Sequence, residues 1–232
     1  MDSKPALLAR VLARRVARPV RRMLVVGCGS GLEALALQRE FGCEVTGIDV
    51  ETRFDPLAAQ HVRLQYGDAR SMAFDDASFD FVYSYHALEH IPQHHRALSE
   101  MARVLTPGGH FCIGTPNRSR LLGYLGTNTP LRDKLRWNAA DWQMRLRGRF
   151  RNEFGAHAGF TESELAADLT RAFGMAEPIS LDYYLAIYPH RAGLIRTLDR
   201  TGIDRFAFPS VYFFGQAAGA GVARNAPATQ DA

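Results

Sequence analysis

The sequence predicts an α/β fold in which a seven-stranded, mostly parallel sheet carries helices on both faces, with a helical insertion after the fifth strand. Three observations predict it. Short β-branched or aromatic runs alternate with helix-forming segments, the first of these runs ends in a glycine loop that opens a helix, and five strands are in place by residue 115. With 232 residues, 47% of them hydrophobic and 22% charged, the chain has apolar material for one sizeable core. No repeat period is visible, which excludes solenoids.

The apolar segment from Pro5 to Val16 is broken by arginines too early for a membrane span or a secretory signal and reads as an N-terminal helix over 5–17. Met23-Leu24-Val25-Val26 is the first strand, Gly27-Cys28-Gly29-Ser30-Gly31 the loop, and the run from Leu32 to Glu40 a strong helix former. Glu44 to Asp49 and Val62 to Tyr66 are the second and third strands, each followed by an acidic or glycine-acidic end. Phe79 to Tyr85 is the fourth, a helix near 92–105 follows, and His110 to Gly114 is the fifth after Pro107-Gly108-Gly109. Residues 117–160 break this rhythm with two tryptophans and many arginines and read as a lid-like insertion. Thr161 and Glu164 form a capping box ahead of Leu165, Leu169 and Phe173 on one helix face. Strands are expected around 177–187 and 209–215 with a helix near 190–200 between them. Residues 1–216 thus read as one domain, and 217–232 as a disordered Ala/Gly-rich tail.

The net charge of +4 conceals a division: residues 1–22 carry +6, residues 118–151 carry +7, and the remainder −9. A uniformly basic nucleic-acid surface is not what these numbers describe. Cys28, Cys43 and Cys112 form no C-x-x-C pair and are too few for a secreted disulfide framework, so a reducing cytoplasm is the expected compartment.

Glycines at 27, 29 and 31 let backbone amides and a helix N-terminus approach a ligand closely. A dinucleotide fingerprint would need a third glycine where Leu32 stands, and a phosphate-binding loop would need a lysine that is absent. Asp49 ends the next strand 22 residues after Gly27, at the right reach for ribose hydroxyls, and Asp68 ends the third, near an adenine amino group. An adenosine moiety without phosphates is implied.

With these motifs, and with Gly47-Ile48-Asp49, Gly67-Asp68-Ala69, His86-Ala87-Leu88-Glu89-His90 and Leu105-Thr106-Pro107-Gly108-Gly109, residues 22–115 resemble the class I S-adenosylmethionine-dependent methyltransferases, especially the small-molecule, ubiquinone-biosynthesis-like group. The resemblance implies a Rossmann-like methyltransferase sheet with S-adenosyl-L-methionine as cofactor. It implies that Gly27, Cys28, Gly29 and Gly31 flank the methionine part, that Asp49 binds ribose, and that Ile48 and Val50 bracket adenine. Asp68 and Ala69 then lie at the polar edge of adenine, and Tyr85 and His86 border the cofactor. The activity implied is methyl transfer to an oxygen, nitrogen or carbon of a small molecule. An NAD-dependent oxidoreductase, or an RNA- or macromolecule-binding protein on the same scaffold, are the alternatives.

His86 and His157 are the candidate proton acceptors, should the acceptor need to lose a proton. Asn117 and Arg118 follow the fifth strand at the cleft, and Trp137 and Trp142 accompany the arginines, so these four are the expected substrate contacts. The expected partner is a small molecule, with an anionic one among the options and nucleic acid disfavoured; monomer and homodimer stay open. His86 to His90 matches H-x-x-E-H, yet it follows a strand directly and precedes Pro92, leaving little helix to present both rings. His94 and His95 should point apart on a helix. No metal is expected.

Overall fold

The computed structural model describes residues 4–124 and 129–218; most of the expected tail, residues 219–232, lies outside the described residues. The sheet is built from β1 (Arg22–Val26), β2 (Glu44–Asp49), β3 (Arg63–Tyr66), β4 (Phe79–Tyr85), β5 (Leu105–Pro116), β6 (Ala176–Pro178) and β7 (Ser210–Gln216). Their spatial order is β3-β2-β1-β4-β5-β7-β6. The pairs β1–β2, β1–β4, β2–β3 and β4–β5 are parallel, whereas β7 runs antiparallel to both β5 and β6. The helices are α1 (Lys4–Ala13), α2 (Leu32–Phe41), α3 (Pro56–His61), α4 (His94–Val104), α5 (Leu131–Leu146), α6 (Glu162–Phe173), α7 (Ser180–Ile187), α8 (Ala192–Thr201) and α9 (Asp204–Ala207).

Alternation along the strands assigns the two faces of the sheet. Met23, Val25, Phe81 and Tyr83 pack with α1, α2 and α7, while Leu24, Val26, Val82 and Phe111 pack with α4 and α6. Each face thus has its own apolar layer, and the carboxyl ends of β1, β2 and β4 are left for polar chemistry. The capping box forms: the Glu164 N–H donates to Thr161 Oγ1, and the Thr161 N–H donates to Glu164.

Several boundaries differ from expectation. The N-terminal helix stops at Ala13 rather than at residue 17, and Arg15 beyond it reaches across to Glu177 and Asp182. The strand expected over 177–187 ends at Pro178, and Ser180–Ile187 is helical. Burial of Ser180, Tyr183 and Tyr184 follows helical spacing, which overrides the β propensity of the aromatics. Pro107-Gly108-Gly109 lies inside β5, where the pairing with β4 shifts register between Phe79 and Phe81.

In the insertion, α5 buries none of its residues. It is attached by polar contacts: the Asn138 amide bonds to both backbone groups of Gly123, Trp142 donates to the Leu121 carbonyl, and Arg145 donates to the carbonyls of Arg118 and Arg120. Arg120, only 4% exposed, pairs with Asp141 at 3.2 Å and donates to the carbonyls of Asn117, Ala158 and His157. Among the described residues no helix is long and apolar enough to cross a membrane.

Candidate active site

The loop after β1 turns because Gly27, Gly29 and Gly31 all take positive φ. Two of these positions allow no side chain. A Cβ on Gly27 would stand 2.2 Å from the Ala87 Cβ, and one on Gly31 would stand 2.4 Å from Leu64 Cδ1. Asp49, at the end of β2, ties the loop down by accepting from the Gly29 N–H at 2.8 Å, and its other oxygen accepts from the Glu51 N–H at 2.9 Å. Two lone-pair positions of the carboxylate remain for a ligand.

Gly27, Gly29, Asp49 and Glu51 line a cavity of about 460 Å³ together with Ile48, Val50, Asp68, Ala69, His86 and His90. Its volume falls within the range of roughly 300–1,000 Å³ usual for small-molecule sites, and its position outside the carboxyl ends of parallel strands is where such sheets bind ligands. Apolar walls from Ile48, Val50 and Ala69 beside the Asp49 carboxylate suit an adenosine. Asp68 is shared, since Arg70 grips it through Nε at 3.0 Å and a second guanidinium nitrogen at 2.6 Å. That pairing holds the Asp68 carboxyl down to about 2, so it is ionised at any working pH.

Three expected cofactor residues do not line the cavity. The Cys28 thiol is buried beneath the loop against Gly47, and burial pushes it up to about 12. Gly31 packs on Leu64, and the Tyr85 ring turns away to stack on Tyr212 at 5.4 Å. In their place the segment Ala87, His90, Ile91 and Pro92 closes the cavity. Its signal was present in the sequence: a polar HALEHIP run directly after a buried strand cannot continue the sheet and must fold over its end.

His86 holds φ at +50°, a left-handed conformation unusual for a side chain of this size. Its N–H donates to the Gly114 carbonyl, and its Nε2 sits 3.0 Å from Ser210 Oγ. The residue keeps exposed surface where it lines the cavity, while packing against the surrounding protein, reinforced by His157 and Arg120, lowers its pKa from the ordinary histidine value. His86 is therefore neutral at neutral pH, a hydrogen-bonding group and only a weak base. His157 lies exposed against His90, with ring centroids 4.5 Å apart, outside the cavity that His86 lines.

A second, larger cavity of about 780 Å³ adjoins the first, and His90, Ile91 and Pro92 line both. Arg118 is on its wall, paired with Glu164. Glu89, also on this wall, has a side chain with no exposed surface, and burial pushes its carboxyl up to about 7. Asn117 does not reach either cavity: it is 1% exposed, its amide donates to the carbonyls of Arg205 and Phe208, and its oxygen accepts from the Ser119 N–H. It shapes the chain after β5 instead of meeting a substrate. Trp137 packs on Tyr124 and Trp142, 41% exposed, donates to the Leu121 carbonyl, and neither lines a described cavity. His94 and His95 do not point apart. At the very start of α4, after a left-handed Gln93, their rings are 4.0 Å from one another and both face Asp168.

Comparison with known proteins agrees with this geometry. Residues 24–113 match the Methyltransferase domain family. The ubiquinone biosynthesis O-methyltransferase of Alkalilimnicola ehrlichii is 32% identical over 191 residues, 75% of this chain and 76% of that protein. The demethylmenaquinone methyltransferase of Staphylococcus aureus is 39% identical over 108 residues, 43% of this chain and 45% of that one. The 27-O-demethylrifamycin SV methyltransferase of Amycolatopsis mediterranei is 31% identical over 102 residues, 40% of this chain and 38% of that one. The chain thus spans less than half the length of the last two relatives. In fold it is similar to the [4+2]-cyclase SpnF, with a TM-score of 0.57 and 19% identity, covering 92% of this chain and 81% of SpnF. A dinucleotide-dependent oxidoreductase, the alternative that Leu32 already disfavoured, finds no support in these matches. With a small-molecule cavity at the ends of β1, β2 and β4 and a match to an O-methyltransferase over three quarters of both chains, the chain belongs to the class I S-adenosylmethionine-dependent methyltransferases.

Proposed function

We propose that the protein transfers the methyl group of S-adenosyl-L-methionine to a hydroxyl oxygen of a small molecule, with nitrogen or carbon acceptors as the second reading. The observation that carries the proposal is the pair of adjoining cavities. The smaller has the glycine loop and Asp49 to hold the donor, and the larger, across the His90–Pro92 wall, has room for an acceptor. Oxygen is favoured because two of the three relatives above are named for O-methylation or for an O-demethyl substrate.

Within this reading Asp49 accepts from the ribose hydroxyls, Gly27 and Gly29 let the backbone close on the methionine part, and Ile48 and Val50 flank the adenine. When bound, the cofactor supplies an electrophilic methyl group and a neutral thioether leaving group, so the protein's task is alignment for in-line attack. Neutral His86, held by Ser210, orients the acceptor at the mouth of the donor cavity. Arg118, Trp137, Trp142 and His157 belong to the insertion that borders the acceptor side; of these only Arg118 lines the larger cavity. That cavity carries Glu89, Glu153, Glu164 and Asp168 against Arg118 and Arg151, a balance that favours an uncharged over an anionic acceptor. Incubation with methyl-labelled S-adenosylmethionine and a panel of phenols, alcohols, amines and carboxylates tests the assignment. Label is expected in hydroxyl-bearing compounds; transfer confined to carboxylates, or failure to bind the donor, overturns it.

A further inference from the structure

We propose that Glu89, His90 and His157 form a site for a divalent transition-metal ion of the zinc type, set in the wall between the two cavities. One ligand atom from each residue lies within 4.8 Å of the others. Tetrahedral zinc holds N and O ligands about 3.3 Å apart, so small side-chain rotations close the set, and His157 is on an exposed segment able to make them.

The second observation is independent of that spacing. The Glu89 side chain has no exposed surface, and neither carboxylate oxygen has a hydrogen-bond partner among the described residues. A buried carboxylate is normally paired or bound to metal. The nearest basic groups do not satisfy it: His90 Nε2 stands 3.8 Å from Oε1, and the Arg120 guanidinium is spent on Asp141 and three carbonyls. A cation at the meeting point of Glu89, His90 and His157 completes all three. Two histidines and a glutamate are a donor set that zinc accepts with a fourth position left for water or for a substrate oxygen.

The ligands are not the two histidines of the H-x-x-E-H pattern, because His86 is turned to Ser210; the third ligand arrives instead from the insertion. The cluster of His94, His95 and Asp168 also brings three donor groups together, but Arg171 already holds its carboxylate at 3.1 Å. Ion binding stands on these side chains alone; only the suggestion that the fourth position receives the acceptor's oxygen rests on the methyl-transfer reading.

The test is calorimetric titration of the full chain with Zn²⁺, and with Co²⁺ followed by its visible tetrahedral bands, on the native protein and on Glu89→Gln, His157→Ala and Asp168→Asn. One ion per chain is expected in the native protein and in Asp168→Asn, with binding weakened at least about a hundredfold in the other two. His157→Ala alters an exposed residue, so it stays informative if Glu89→Gln folds poorly. No binding by the native protein, or loss confined to Asp168→Asn, overturns the proposal. Binding of S-adenosylhomocysteine is measured on the same samples: its presence without zinc binding refutes the metal site alone, and its absence with zinc binding refutes the methyltransferase reading alone.

Discussion

Replacing Asp49 by alanine gives the most quantitative test of the donor site. The carboxylate spends one lone pair on the Gly29 N–H and one on the Glu51 N–H, leaving two for ribose hydroxyls. A hydrogen bond to a charged group contributes about 1.5–3 kcal/mol, and because Asp49 is half-buried the lower figure applies to each, about 3 kcal/mol in all. At about 1.4 kcal/mol per tenfold, the dissociation constant for S-adenosylhomocysteine should rise by about two orders of magnitude. Asp49→Asn keeps one acceptor oxygen and loses the charge, so it should fall between the two, near tenfold. Isothermal titration calorimetry reads the constants. Thermal melts of the ligand-free proteins show whether the loss of the Gly29 anchor has unfolded the loop's surroundings. A change of less than about threefold in Asp49→Ala, with a folded protein, would refute the ribose assignment.

Gly27→Ala forces a left-handed alanine and a 2.2 Å approach to Ala87, so urea unfolding should show a loss of about 3 kcal/mol together with lost donor binding. Glu33 is the pH probe. Burial raises its carboxyl to about 7, with the Tyr83 hydroxyl donating to Oε1 at 2.8 Å. A raised folded pKa means stability that is complete below about pH 4.5 and lost as pH climbs through 7. Glu33→Gln, which keeps the acceptor for Tyr83, should therefore gain about 2–3 kcal/mol on the native protein between pH 5 and 8 by denaturant titration. Equal pH profiles would contradict the burial. Arg120→Met leaves Asp141 and three carbonyls without their donor and should cost about 3–5 kcal/mol within the insertion. Hydrogen exchange should accelerate over 118–160 and stay unchanged in β1 and β4.

The donor half of the molecule is legible in the sequence because each of its features is local. Glycine spacing forces the loop, alternation sets the faces of β1 and β4, and an acidic residue at a strand end can only project from the sheet edge. What sequence reading missed depends on long-range partners. Nothing near Asn117 announces that carbonyls of Arg205 and Phe208, some ninety residues on, will consume its amide. The meeting of Glu89 with His157 likewise requires the insertion to fold back over the end of β4. Tyr183 and Tyr184 show the converse error, where strand-like composition yields to helical burial.

The polar attachment of α5 has a thermodynamic consequence. A helix with no buried residue, held through Asn138, Trp142, Arg145 and Arg120, releases little apolar surface when it lifts away. Heat capacity and denaturant sensitivity both scale with that surface, so such an opening is nearly silent in a calorimetric scan or a urea curve. Its equilibrium is set instead by these polar contacts, and because the Arg120–Asp141 pair is buried, with side chains 5% and 14% exposed, salt screens it little. Substitution at Arg120, Asn138 or Arg145, rather than heat, denaturant or salt, is therefore the perturbation that should change how often this helix lifts away.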